Sequence, residues 1–340
     1  MLLGRLLKRR SSKRVRDVPA RDYVERRGTP GALRSLRIAA TRTQAQLLDL
    51  ESGWLYTPLC VPIGAERCTT LDLHRVYSRD KYDVVYTDAF AEALDACAVP
   101  SVENIFVLSA PRNYWHFIMD CVPRLCFAAV MPDLRERALL VDAGATATER
   151  EVIARAAAQV GMEALRLVPA AHPLQPIAQA ACPGYIDRYS ATALWDEMLY
   201  PAAARPRRGI ERLFVRRAAR MRRLVNEDAL VEALARIGFT AVDPGALGFE
   251  EQVATFADAR VIVGVHGAAL TNVLFAPRGA TFVELYTTVH QPFYAELAAA
   301  KGMRYVPLAG ESHEAAVDQH DDFGVDVPRV LEVLKELGVS

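Results

Sequence analysis

The chain reads as an α/β protein of two Rossmann-type parallel-sheet domains facing a cleft, and three features of the sequence predict it. Its 340 residues are ample for two domains, each with its own core. From residue 105 onward, short apolar runs alternate with helix-length segments, as βα units do. Runs such as Val261-Ile262-Val263 are apolar at every position, as strands buried on both faces of a parallel sheet are.

In chain order, residues 1–20 read as a basic tail, 21–203 as a first domain, 204–325 as a second, and 326–340 as a terminal helix packing back on the first. Residues 21–100 mix short apolar runs, such as Trp54-Leu55-Tyr56 and Val84-Val85-Tyr86, with Pro and Gly, which predicts strands and loops. Residues 105–108 read as a strand, 113–131 as a helix and 139–141 as a strand. Thr148-Glu149-Arg150-Glu151 fits a capping box for a helix that runs to Val160 and stops at Gly161, with a strand from 165. Residues 201–209 (PAAARPRRG) lack apolar periodicity and predict the linker. Strands follow at 213–215, 240–242, 260–263, 281–285 and 304–306. Helices separate them at 226–237 (capped by Asn226), 249–258, 268–275 and 292–301, and a last helix spans 327–337.

Charge narrows the function classes. The 41 basic and 41 acidic residues balance overall, yet residues 1–16 hold seven cations and no acid, leaving the rest at −7. An acidic body argues against a nucleic-acid partner. The tail, with Leu2, Leu3, Leu6 and Leu7 beside its cations, reads as solvated chain or as a peripheral contact with an anionic membrane. The longest uncharged run of interest, residues 261–277, is too short and polar to span a bilayer, and no signal peptide is evident. The six cysteines form no CxxC pair. His116, Cys121 and Cys126 are five apart, so they do not share a helix face, and no metal site is expected. Scattered thiols point to a reducing, cytoplasmic compartment.

Four features carry chemistry. His266-Gly267-Ala268 sits where a strand enters a helix, so close backbone approach and the helix N-terminus favour an anion such as a diphosphate. A purely geometric role for Gly267 stays open beside that. Residues 205–223 hold nine arginines and one acid, Glu211; Arg216, Arg217, Arg220, Arg222 and Arg223 follow a strand directly, as a phosphate clamp or a solvated loop. Glu284, late in its strand, suits ribose hydroxyls or a structural ion pair. His116 and Asp120 are one helical turn apart, which fits proton transfer or a buried structural pair.

NYWHFIMDCVPRL (residues 113–125) and the block LFVRR…MRRLVNEDALVEALARIGF…FEEQVATFADARVIVGVHGAALTNVLFAPRGATFVEL (213–285) resemble glycosyltransferase family 61, which includes capsular-polysaccharide-biosynthesis-type proteins. The resemblance covers about 105–310. It implies a GT-B-like, inverting glycosyltransferase (hexosyl or pentosyl class) that moves a sugar from a nucleotide-sugar, usually a UDP-sugar, to a hydroxyl of a glycan or polysaccharide acceptor. Donor binding then falls to Arg216, Arg217, Arg222, Arg223, Asn226, His266, Gly267, Ala268, Thr271, Asn272 and Glu284. Asp120 or His116 becomes the base, with Arg124 in the same motif, and no cofactor or obligatory metal is implied. Arg278 departs from the family pattern, where an apolar residue or proline is common. Two alternatives stand beside this reading: a non-catalytic sugar-nucleotide or polysaccharide-binding partner in cell-surface polysaccharide assembly, or a UDP-sugar-modifying enzyme of the same architecture.

Overall fold

The computed structural model describes residues 32–69, 79–108, 113–217, 222–287, 292–312 and 321–340. The basic tail and Arg220 lie outside the described residues. The chain divides into two units, residues 1–112 with 119–187 and residues 113–118 with 188–340. The division thus falls before the expected 203/204, and a short piece of the first half is built into the second unit.

The first unit holds a seven-stranded sheet: β1 (Ala32–Ile38), β2 (Thr43–Tyr56), β3 (Val61–Gly64), β4 (Val102–Val107), β5 (Ala138–Asp142), β6 (Leu167–Ala170) and β7 (Leu174–Pro183). Their order is β1-β2-β7-β4-β5-β6, with β3 beside β2. β7, β4, β5 and β6 run parallel, whereas β1–β2, β2–β3 and β2–β7 are antiparallel. The all-parallel first domain is therefore corrected to a mixed sheet. Residues 39–42 and 57–60 are too short for crossover connections, so β1, β2 and β3 can pair only as hairpins.

The capping box opens at Thr146, two residues before the expected Thr148. Thr146 Oγ1 accepts from the Glu149 amide at 3.1 Å, and Glu149 Oε2 accepts from the Thr146 amide at 2.7 Å. The single helix expected over 113–131 is broken into an α turn Tyr114–His116, a π-helix Phe117–Cys121, a 3-10 turn Val122–Leu125 and an α segment Cys126–Val130. Pro123 has no N–H for the carbonyl of Met119, so the α ladder cannot pass this point. The Trp195 indole donates at 2.8 Å to the Ile118 carbonyl within the bulge.

The second unit is a five-stranded, wholly parallel sheet of β8 (Arg212–Val215), β9 (Thr240–Val242), β10 (Val261–Val265), β11 (Thr281–Tyr286) and β12 (Arg304–Ala309). The order β9-β8-β10-β11-β12 reverses direction between β8 and β10, so the topological switch lies at their carboxyl ends. Val215, Gly264, Glu284 and Pro307 form one row across the sheet. A side chain at Gly264 would meet Leu270 Cδ2 at 2.5 Å, so glycine there lets the 3-10 helix Ala268–Phe275 lie close on the strands.

The core of this unit gathers Phe214, Val263, Val283 and Leu285 with Leu230, Leu234, Phe323, Val330 and Leu334. The last two belong to the terminal helix Val327–Glu336, which therefore packs on the second unit rather than back on the first. The expected linker is anchored too. Arg205 is buried, donating to the carbonyls of Tyr200 (2.9 Å) and Phe275 (3.1 Å) and to Asp196 (2.7 Å).

Candidate functional site

In doubly wound sheets, ligands bind at the carboxyl ends of the strands beside the switch. Here those ends carry Arg216 and Arg217 after β8, and His266 and Gly267 after β10. The two arginines diverge. Arg216 clasps the first turn of the helix Glu227–Ala235, with Nε 2.9 Å from Glu227 Oε2 and Nη2 3.0 Å from Asp228 Oδ1. Arg217 crosses instead to β10, where Nη1 donates at 2.8 Å to the His266 carbonyl.

Gly267 explains how it gets there. A Cβ on Gly267 would lie 1.5 Å from Arg217 Nη1, so the guanidinium occupies the place a side chain would take. The backbone is extended (φ 164°), so the glycine serves close approach and not a left-handed turn. Burial, then the like charge of Arg222, lowers the Arg217 pKa to about 10. Arg222 is lowered by burial as well, and its buried Nε has no hydrogen-bond partner. Its backbone is left-handed, φ 58°. Two partly desolvated guanidiniums within electrostatic reach of each other are stabilised by an anion placed near both. The first amides of the Ala268–Phe275 turn are orphan donors by helix geometry and add to that preference.

The other sequence-predicted residues fall into supporting positions. Arg223 meets Asp322 through its amide (2.7 Å) and Nε (2.8 Å), and it is exposed. Asn226 heads its helix, but its side chain makes no cap. Its Nδ2 donates at 2.7 Å to the Val325 carbonyl and its Oδ1 accepts at 3.1 Å from the Val325 amide. Both residues thus stitch 223–226 to 322–325. Thr271 Oγ1 donates to the Ala268 carbonyl at 2.6 Å. Asn272, wholly buried, donates to Gln252 Oε1 (2.9 Å) and accepts from the Tyr114 hydroxyl (3.0 Å).

Glu284 has no exposed surface. One oxygen pairs with His266 Nδ1 and the other accepts from the Tyr305 hydroxyl at 2.5 Å. In this arrangement the carboxylate serves the histidine, not ribose hydroxyls. The Tyr294 hydroxyl donates to the Gly267 carbonyl at 2.5 Å, and its ring stands edge-on to His266 at 5.3 Å. Burial pushes its pKa up, so it remains a donor. Sequence reasoning missed Tyr294 and Tyr305. Tyr305 was within reach: once β11 and β12 are aligned in parallel, it shares a face with Glu284.

His116 belongs to the second unit and is half-buried, while Asp120 belongs to the first and is buried. The chain between them follows the π-helix, so a four-residue spacing no longer makes one full turn. Arg124 is also buried. Among the described residues no three His, Cys, Asp or Glu cluster as metal ligands, and no helix is long and apolar enough to cross a membrane. None of the six cysteines is in a disulfide, and burial pushes the thiols of Cys121, Cys126 and Cys182 up.

The second unit is thus an α/β fold whose parallel sheet carries Arg217, Gly267 and His266 together at its switch point, with Glu284 behind the histidine. The family profile described as Glycosyltransferase 61 matches residues 114–283, half of the sequence, and the chain belongs to that family. It is similar to EGF domain-specific O-linked N-acetylglucosamine transferase from Drosophila melanogaster, 33% identical over 103 residues, covering 29% of this chain and 20% of the relative. The Xenopus laevis and Mus musculus proteins of the same description are 34% and 33% identical over 95 residues, 26% of this chain and 18% of theirs. The chain thus matches about a fifth of the length of these curated relatives.

Proposed function

We propose that this chain is a glycosyltransferase that takes a sugar from a nucleoside-diphosphate donor, a UDP-sugar, and attaches it to a hydroxyl of a glycan, polysaccharide or glycosylated protein. The observation that carries the reading is the Arg217 guanidinium lodged over Gly267 at the switch of a parallel sheet, with Arg222 within electrostatic reach of it. Cleaving the bond to the sugar builds negative charge on the leaving diphosphate, and fixed arginines with helix amides stabilise it as it forms. In this reading Arg217, Arg222, His266 and the amides of Gly267 and Ala268 hold the diphosphate without an obligatory metal. Arg216, Arg223, Asn226, Thr271, Asn272 and Glu284 hold those residues in place.

Inversion needs a base on the acceptor side, and His116 or Asp120 fills that role, the two units acting as the halves of a GT-B-like enzyme. N-acetylglucosamine is the first sugar to try, because the relatives are named for its transfer. The cysteines, none in a disulfide, fit a cytoplasmic setting, with residues 1–16 as a peripheral contact at the inner membrane face.

The test is release of UDP from UDP-N-acetylglucosamine and other UDP-sugars by purified protein, with and without glycan acceptors and EDTA. Acceptor-stimulated, EDTA-insensitive release supports transfer. UDP binding with no turnover on any acceptor favours a binding partner in polysaccharide assembly, and conversion of the sugar while still on UDP favours a donor-modifying enzyme.

A further inference from the structure

The chain His266–Glu284–Tyr305, with Glu284 buried and its two partners half-buried, spans three neighbouring strands: the end of β10, the middle of β11 and the start of β12. Glu284 lies opposite Gly264 and Pro307, so Tyr305, two residues before Pro307, falls on the same face of the sheet and reaches the carboxylate diagonally. Burial and the carboxylate itself push the Tyr305 pKa up, so its hydroxyl keeps its proton and is the donor in their bond. Glu284 is then an acceptor toward both partners, and His266 presents Nδ1–H to it. The remaining ring nitrogen, Nε2, is the one available to a ligand. Tyr294 packs edge-on against the imidazole and fixes its plane from another side.

We propose that Tyr305 is a positioning residue of the transfer reaction: acting through Glu284, it sets the tautomer and plane of His266 so that Nε2 addresses the leaving diphosphate. This rests on the donor-site reading above. His266 touches the ligand, while Glu284 and Tyr305 act behind it. A misdirected imidazole leaves Arg217 and Arg222 to bind the diphosphate, so the loss falls on charge that develops during bond cleavage rather than on ground-state affinity.

The experiment compares full-length wild type, Tyr305→Phe and Glu284→Gln, the latter guarding against a folding defect in the former. UDP affinity is read by calorimetry, UDP release from UDP-N-acetylglucosamine by steady-state kinetics, and the His266 tautomer by imidazole ¹⁵N NMR, with His266→Gln assigning the signal. In both variants KM for the sugar donor is expected to stay within about threefold, while kcat falls about tenfold or more, affinity for UDP, which carries the fully developed charge, falls with it, and the His266 signals leave the Nδ1–H pattern. An unchanged kcat, a loss confined to KM, or a His266 signal identical to wild type overturns the proposal. A wild type that neither binds UDP nor releases it overturns the donor site itself, a result distinct from variants that match an active wild type.

Discussion

Replacing Gly267 with alanine tests the donor site with little disturbance of the fold. The new Cβ would lie 1.5 Å from Arg217 Nη1 and 2.9 Å from its Cζ, so the guanidinium must leave. The backbone at φ 164° accepts alanine without strain, and the displaced group is the far end of a flexible side chain. What is lost is the 2.8 Å bond to the His266 carbonyl and the position of the charge. In the proposed site the guanidinium held there donates to a phosphate oxygen, and a hydrogen bond from a charged donor contributes about 1.5–3 kcal/mol, so losing it should raise the UDP Kd roughly 10- to 150-fold. Calorimetric titration with UDP reads the affinity, and a thermal melt reads the fold. Arg217→Ala should lose a similar amount, and the double variant little more, because both changes remove one contact. A Gly267→Ala protein that binds UDP within about twofold of wild type would refute the reasoning.

Four further outcomes follow from the geometry. Arg222→Ala should weaken UDP binding about tenfold, whereas Arg223→Ala, which acts only through its pairing with Asp322, should weaken it by less than about threefold; equal effects would erase the distinction drawn within the arginine cluster. Asp196 accepts from buried Arg205 (2.7 Å) and Lys301 (3.0 Å), so Asp196→Asn should cost about 3–5 kcal/mol in urea unfolding, and a loss under about 1 kcal/mol would contradict this. Burial, opposed by Asp196, lowers the Lys301 pKa to about 8. Between about pH 8 and the ordinary lysine value the unfolded chain therefore holds more protons, and the stability of wild type relative to Lys301→Met should climb with pH across that window; a flat difference counts against it. Thr146→Ala, which removes the capping box, should cost about 1 kcal/mol without changing UDP affinity, and a change in affinity would be unexpected.

Much of the second unit was legible because its strands are buried on both faces, so apolar runs such as Val261-Ile262-Val263 announce themselves without periodicity analysis. The antiparallel part of the first unit was harder to read. Its β1 carries polar Arg34, Ser35 and Arg37 around buried Leu36 and Ile38, and such a half-solvated strand resembles loop sequence. Residues 201–209 looked like a linker because composition does not reveal that Arg205 is satisfied by carbonyls as distant as Phe275. Asn226 had the local signature of a cap, but its side chain bonds to Val325, 99 residues away.

The same limit applied at the site. The sequence placed His266, Gly267 and the arginines at strand ends, where topology makes them converge. It did not separate Arg217 from Arg216, because the difference lies in Glu227 and Asp228 at the start of the next helix. Glu284 read equally well as a ribose ligand until the register with β12 put Tyr305 on its second oxygen. Arg278, the departure from the family pattern, joins the Asp196 cluster and donates to the Ala300 carbonyl at 3.0 Å, which gives it a structural role.

The most direct measurement is a crystal structure of the chain with UDP bound. The account predicts the diphosphate at the carboxyl ends of β8 and β10, with phosphate oxygens in hydrogen-bonding reach of Arg217, Arg222, His266 Nε2 and the Gly267–Ala268 amides. UDP bound elsewhere, or at this sheet end with no phosphate oxygen in hydrogen-bonding reach of Arg217, would contradict it.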